Sequence, residues 1–240
     1  MIFQPIYQPK GRANEYGSLA CNIYTGCNHG CTYCYAPKIL RKTREAFAKV
    51  EPRPAIVESV KRQLEREQIT GKLIHLCFTC DPYPADIDTN PTREVIKAIK
   101  EAGNNVQILT KGGFRAERDF DLLDGGDWFG VTITTDSIKP TEIEPRAANA
   151  SERIITIGKA KQLGINTWIS FEPVIEPETV YGFIKYCNQI DLFRIGKMNY
   201  QPSNINWAQF AVKCEVLCHI YGRNYYFKAD LRETTGRGCI

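Results

Sequence analysis

At 240 residues with 43% hydrophobic content, the chain can bury a substantial core and reads as one domain spanning residues 1–240. Its formal charge of +4 is modest for a nucleic-acid binder, and no window approaches the roughly 18 apolar residues of a membrane span. Ten cysteines, with no apolar stretch of signal-peptide length in residues 1–17, point away from a secreted disulfide scaffold and toward metal binding or thiol chemistry in the cytoplasm.

The first strand is expected near residues 19–24 and leads into TGCNHGCTYC, residues 25–34. A basic segment follows at 38–53, where Lys38, Arg41, Lys42, Arg44, Lys49 and Arg53 face only Glu45 and Glu51. Next come a helix near 55–67 and a strand near 73–80 that ends in CFTCDPYP. Asn90 and Pro91 open a helix near 92–102, on which Val95, Ile99 and Ala102 form a core-facing stripe. Strands near 105–109, 128–134 and 166–171 run into LTKGG, TITTD and SFEPVI, with helices near 116–123, 151–163 and 178–187 between and after them. A strand near 192–195 and a helix near 207–221 complete the series, and Gly103, Gly164 and Gly222 stand where helices should end. Residues 223–240 look least committed to the core.

Six βα units in this order predict an α/β fold with a parallel sheet, a partial (β/α)6 TIM-type barrel whose core spans about 18–198, followed by a C-terminal helix and tail at 199–240. In such folds ligands gather at the carboxyl ends of the strands. The chemically interesting residues collect there.

Cys27, Cys31 and Cys34 are spaced C-x3-C-x2-C and have no fourth cysteine beside them. Three thiolates on a four-iron cluster would leave one iron open to an outside ligand, much as catalytic zinc keeps one position free of protein. Spacing alone leaves zinc open too, with Cys77, Cys80 or Cys239 as a distant fourth ligand; His29 is a poor one, since it lies inside the same tight loop.

C-x3-C-x2-C after a first strand, with Tyr33 before the last cysteine, resembles the signature of the radical S-adenosylmethionine superfamily. NIYTGCNHGCTYCYAP, TCDPYP and EPRAANASERI resemble its spore photoproduct lyase-like branch, over roughly residues 18–198. The resemblance implies a [4Fe-4S] cluster on Cys27, Cys31 and Cys34, with S-adenosylmethionine on the open iron and a reductant such as flavodoxin or ferredoxin as partner. One electron would then cleave the sulfonium to a 5′-deoxyadenosyl radical that abstracts hydrogen from a substrate. It also implies Lys111 near the methionine carboxylate, Arg153 as a second cation, Thr79, Asp81 and Thr132 as polar partners, and Tyr33 beside the adenine. Glu172 departs from the small residue that relatives often carry and is a candidate for ribose or substrate.

The branch passes hydrogen through a cysteine near the second strand end, so Cys80 is the candidate catalytic thiol, with Cys77 beside it. Strand alternation would put Cys77, Thr79 and Asp81 on one face and Phe78 and Cys80 on the other. In the matched alignment Phe78 takes the donor position and Cys80 that of a cofactor-contacting serine, which counts against simple thymine-dimer repair. Cys21, Cys187, Cys214 and Cys218 read as core thiols. The basic segment, interleaved with Tyr35 and Phe47 and close to Tyr24, suits nucleic acid; a small molecule or peptide is the competing substrate class. A different class also stands: a non-catalytic zinc- or iron-sulfur-containing binding protein on the same scaffold.

Overall fold

The computed structural model describes residues 4–135 and 140–235, with the side chains of 140 and 141 outside the described set. Asp136 and Cys239 fall outside the described residues. The strands are β1 (Ile6–Tyr7), β2 (Leu19–Cys21), β3 (Leu73–Leu76), β4 (Asn105–Thr110), β5 (Trp128–Thr132), β6 (Asn166–Phe171), β7 (Leu192–Ile195) and β8 (Tyr225–Phe227). They make one sheet in sequential order; β1 is antiparallel to β2, and β2 through β8 are parallel. The helices are α1 (Ala36–Ile39), α2 (Arg44–Ala48), α3 (Ile56–Arg66), α4 (Asn90–Glu101), α5 (Pro140–Ile143), α6 (Ala150–Gln162), α7 (Pro177–Tyr186), α8 (Trp207–Ile220) and α9 (Ala229–Arg232). The expected helix near 116–123 is a 3-10 helix, Gly113–Leu122.

All six expected strands are present, and β1 and β8 are additions. β1 is only two residues long, and its Ile6 amide and carbonyl are both bound by the Gln63 side chain of α3, at 2.9 and 2.8 Å. β8 draws part of the supposedly loose tail into the sheet: just beyond it Lys228 is 3% exposed and Leu231 0%. The helix ends fall as their glycines predict, since Gly103, Gly164 and Gly222 take φ of +74°, +80° and +61°, a region where only glycine is free of strain.

Sequential parallel strands joined by right-handed crossovers place every connecting helix on one face of the sheet. That face is apolar: Ile74, Val106, Ile108, Phe129, Ile169 and Phe193 join helix residues such as Val60, Val95, Ile157 and Ile184 in the core. The opposite face is polar and aromatic. Register carries it from Ala20 through His75 to Gln107 and, farther along, from Thr132 through Ser170 to Arg194 and Tyr226.

The sheet curls around this second face. His75 on β3 and Trp168 on β6 lie three strands apart, about 14 Å on a flat sheet, yet their ring centroids are 6.4 Å apart. Trp168 leans across Gly130 on β5, where any Cβ would meet the indole at 2.3 Å, and its Nε1 donates to the Ile108 carbonyl at 3.1 Å. The two ends of the sheet do not pair with each other, so the barrel is partial. Its seam is bridged by the 3-10 helix Gly11–Glu15, whose Glu15 carboxylate accepts from the Tyr226 hydroxyl at 3.1 Å and the Ala229 amide at 2.8 Å.

Candidate active site

Residues 25–34 are moulded by the protein's own bonds. The Cys27 amide donates to the Phe47 carbonyl at 3.0 Å, and Thr32 donates to Ile143 at 2.9 Å. Asn28 and Ala85 bond reciprocally at 2.6 and 2.9 Å. Arg44 spreads its guanidinium over the carbonyls of Cys31 and Thr32, at 3.0 and 2.7 Å, and the Lys42 ammonium caps the Thr25 carbonyl at 2.8 Å. Gly26 is required by this packing, because a Cβ there would stand 2.1 Å from the Phe47 carbonyl oxygen. These bonds also revise the expectation for the basic segment: Lys42 and Arg44 serve the cysteine loop, which leaves a smaller positive surface for a polyanion than composition suggests.

Cys27, Cys31 and Cys34 are free and line one cavity of about 550 Å³. Burial pushes the Cys27 thiol well above its ordinary range, and Asp81 adds to this. Burial pushes Cys31 up to about 11 against the pull of Lys111. Tyr33, Thr79, Asp81, Lys111, Thr132, Glu172 and Cys80 line the same cavity. They come from the ends of β3, β4, β5 and β6 and from the cysteine loop, as strand-end clustering predicts.

Lys111 follows β4, with its ammonium 5.6 Å from the Tyr33 ring centroid. Burial opposes its charge, and Cys31, Glu144 and Asp81 outweigh that opposition, so the ammonium is held above its usual range. The Thr79 hydroxyl is buried with no partner among the described residues, an arrangement that costs free energy unless a ligand completes it.

Asp81 serves mainly as a staple. Its carboxylate accepts from the Thr110 hydroxyl at 2.5 Å and from the amides of Tyr83 and Lys111 at 2.8 and 2.9 Å, with His29 Nδ1 at 3.5 Å. Burial opposes its charge, but His29 and these donors hold the carboxyl below its ordinary value. The cysteine loop, β3 and β4 are thereby locked together.

Arg153 departs from expectation. It is 2% exposed and absent from the cavity wall; one terminal nitrogen donates to the Thr132 carbonyl at 2.7 Å and the other pairs with Glu144. Glu144 in turn accepts the Tyr33 hydroxyl. Two of the three guanidinium nitrogens are thereby engaged in a buried relay that orients Tyr33, and the third, Nε, is buried with no partner among the described residues. Helix α6 places it there, its start fixed by Asn149, whose side chain accepts the Glu152 amide at 2.8 Å.

The far end of the cavity was largely invisible to sequence reasoning. Glu172 accepts from Lys228 at 2.5 Å, from the Tyr16 hydroxyl at 2.8 Å and from Asn199 at 3.0 Å. Tyr16 and Asn199 carried no local signal. Lys228 did carry one: it follows β8 as Lys111 follows β4, so the same strand-end rule would have found it had β8 been recognised.

The expected alternation through residues 77–81 does not hold, because β3 ends at Leu76 and Cys77 turns into the left-handed region at φ +71°. Cys77, Phe78, Thr79, Cys80 and Asp81 all reach the cavity. Asn22, immediately after β2, clamps this bend by accepting the amides of Phe78 and Thr79 at 2.8 and 3.0 Å.

The donor set suits the groups that the sequence implies. Among the described residues no three His, Cys, Asp or Glu side chains converge as ligands of a single ion would. Three thiols lining one cavity are a donor set that a four-iron cluster could use, one per iron. A hydroxyl with no partner among the described residues and a half-buried ammonium, both lining the cavity, match a polar, carboxylate-bearing ligand.

A family model described as the Radical SAM superfamily matches residues 21–180. The chain is 27% identical over 184 residues to "Uncharacterized protein ORF301" of Acidianus two-tailed virus, covering 69% of this chain and 59% of that relative. It is 27% identical over 158 residues to "Uncharacterized protein MJ0683" of Methanocaldococcus jannaschii, covering 64% and 59%. The chain thus spans about 59% of the length of these curated relatives. Among solved structures, spore photoproduct lyase complexed with dinucleoside spore photoproduct has a TM-score of 0.69 at 12% identity, over 92% of this chain and 79% of that one. A doubly substituted spore photoproduct lyase with bound AdoMet and dinucleoside spore photoproduct has a TM-score of 0.70 at 12% identity, with the same coverage. At that identity the likeness is one of fold.

Proposed function

Because the chain belongs to the radical SAM superfamily, we propose that it is an enzyme holding a [4Fe-4S] cluster through Cys27, Cys31 and Cys34 and S-adenosylmethionine in the adjoining cavity. When bound, these groups supply a one-electron cleavage of the sulfonium that generates a 5′-deoxyadenosyl radical for hydrogen abstraction. One observation carries the reading: three free thiols, the Lys111 ammonium and the orphaned Thr79 hydroxyl open into a single cavity.

The chain's own residues divide the work. Lys111 offers a cation to the methionine carboxylate, Thr79 and Thr132 offer hydroxyls, and Tyr33, oriented by Glu144 and Arg153, offers a ring face to the adenine. Asp81 fixes the backbone from which Lys111 extends. Glu172, held by Lys228, Tyr16 and Asn199, forms the polar wall facing the substrate, and the Cys80 thiol exchanges a hydrogen atom with it.

For the substrate, nucleic acid is the leading class. Lys38, Arg41 and Lys49 remain exposed beside the cysteine loop, Tyr35 and Tyr200 lie 6.1 Å apart on the cavity wall, and the solved neighbours carry a dinucleoside lesion. No helix among the described residues is long and apolar enough to cross a membrane. A reducing cytoplasm, with flavodoxin or ferredoxin as electron donor, fits the free thiols.

The test is anaerobic reconstitution, reduction with dithionite and addition of S-adenosylmethionine, with 5′-deoxyadenosine measured against a variant in which Cys27, Cys31 and Cys34 are all changed to Ala. Formation by the parent alone is expected. A reducible cluster whose spectrum does not respond to S-adenosylmethionine would overturn the reading.

A further inference from the structure

Cys77 and Cys80 are spaced C-x-x-C where the chain leaves β3 and bends at residues 78–80. Both thiols are free and both line the cavity; Cys80 Sγ lies 4.0 Å from Asn22 Oδ1, and Cys80 is close enough to add to the burial that pushes the Cys77 thiol well above its ordinary range. They differ in access: Cys77 is buried and Cys80 half-buried. The bend is pinned from outside the pair, by Asn22 on the amides of Phe78 and Thr79 and by the Cys77 amide on the Cys21 carbonyl at 2.9 Å. Asn22 is itself fixed, since its side-chain nitrogen donates to the Tyr7 hydroxyl at 2.7 Å. A two-thiol turn held this firmly loses little further chain freedom on closing, and a short-loop disulfide beside a cavity is of the labile rather than the structural kind.

We propose that Cys77 and Cys80 are a dithiol pair that closes reversibly to an intramolecular disulfide and thereby withdraws the Cys80 thiol hydrogen from the cavity. A small-molecule disulfide such as glutathione disulfide is the oxidant. The Cys80 thiolate attacks one of its sulfurs, forming a mixed disulfide and releasing one glutathione thiolate. The Cys77 thiol then gives its proton to water and attacks the Cys80 sulfur, forming the Cys77–Cys80 bond and releasing the second glutathione. Two protein thiols lose two electrons and two protons, and one glutathione disulfide becomes two thiols. The pairing needs no radical chemistry; only its consequence, a cavity without its hydrogen donor, rests on the function proposed above.

The experiment equilibrates the full chain in glutathione buffers without oxygen, blocks free thiols with iodoacetamide and digests with trypsin. The fragment 73–93 carries Cys77 and Cys80 and no other cysteine. Expected is a parental fragment that has lost both alkylation sites, is lighter by two hydrogens, and regains both sites with dithiothreitol. In Cys77→Ser the fragment should accumulate a glutathione adduct at Cys80. A parental fragment that stays fully alkylated, keeps the adduct, or crosslinks to the Cys21 fragment in the same buffer would overturn the pair. 5′-Deoxyadenosine measured on the same preparation after dithiothreitol reduction and anaerobic reconstitution reads the proposed function separately: a disulfide in the first assay without that product in the second leaves the pair standing and sinks the function, and the product without a disulfide does the reverse.

Discussion

Glu172 and Lys228, 56 residues apart in the chain, meet at 2.5 Å in an ion pair on the cavity wall, their side chains only 17% and 4% exposed. The Lys228 ammonium also lies 4.4 Å from the Tyr16 ring centroid. The pair ties the last strand of the sheet to the end of β6 and so closes the far side of the site.

Removing one partner leaves the other charged and buried. Lys228→Met should therefore cost about 3–5 kcal/mol in urea denaturation, while Lys228→Met combined with Glu172→Leu should recover most of the loss. Equal losses in the single and double variants would mean that the pair is not the source of the cost.

Lys111→Met should weaken S-adenosylmethionine binding about 10–100-fold, the equivalent of a charged hydrogen bond worth about 1.5–3 kcal/mol. Equilibrium dialysis on iron-loaded protein reads this directly, with iron content unchanged. Unaltered affinity would take Lys111 out of the cofactor site.

Gly26→Ala should cut the iron taken up on reconstitution to a small fraction of the parent's, because the added methyl must displace the Phe47 carbonyl that holds the Cys27 amide. Iron per chain after anaerobic reconstitution is the measurement. Gly158→Ala, where a Cβ meets nothing within 4 Å, is the control and should keep its iron.

His75 gives the fold a pH dependence. It is 1% exposed, stacked on Phe78 at 4.2 Å and hydrogen-bonded to Gln107 at 2.8 Å; burial lowers its pKa to about 4. The unfolded chain takes up a proton near the ordinary value of about 6.5, whereas the folded chain resists until far lower pH. His75's contribution is thus whole above about 6.5 and shrinks as pH falls toward 4, a loss of about 3 kcal/mol across that window. Denaturation midpoints at pH 7, 6 and 5 should fall for the parent and fall less for His75→Gln.

The strands and helices that position the cysteine loop were legible because each rests on local periodicity and a nearby glycine or proline. β8 was not, since Tyr225, Tyr226 and Phe227 show no alternation and are secured by contacts such as that between Tyr226 and Glu15, 211 residues apart. Cys27, Cys31 and Cys34, picked out by spacing, and Lys111, picked out by the resemblance at a strand end, line one cavity. Arg153 misled for a physical reason: its partner, Glu144, lies nine residues back, and nothing in the spacing distinguishes a guanidinium that faces a ligand from one that faces its own chain. Cys77 misled because a single left-handed residue ended the alternation.

The loop of residues 25–34 owes its shape to Arg44, Lys42, Asn28 and backbone amides, all supplied by the polypeptide. In a zinc finger the metal creates the fold, and its removal unravels the domain. The proposed cluster would sit in a loop whose shape rests on the chain's own hydrogen bonds, so its loss would leave those bonds standing.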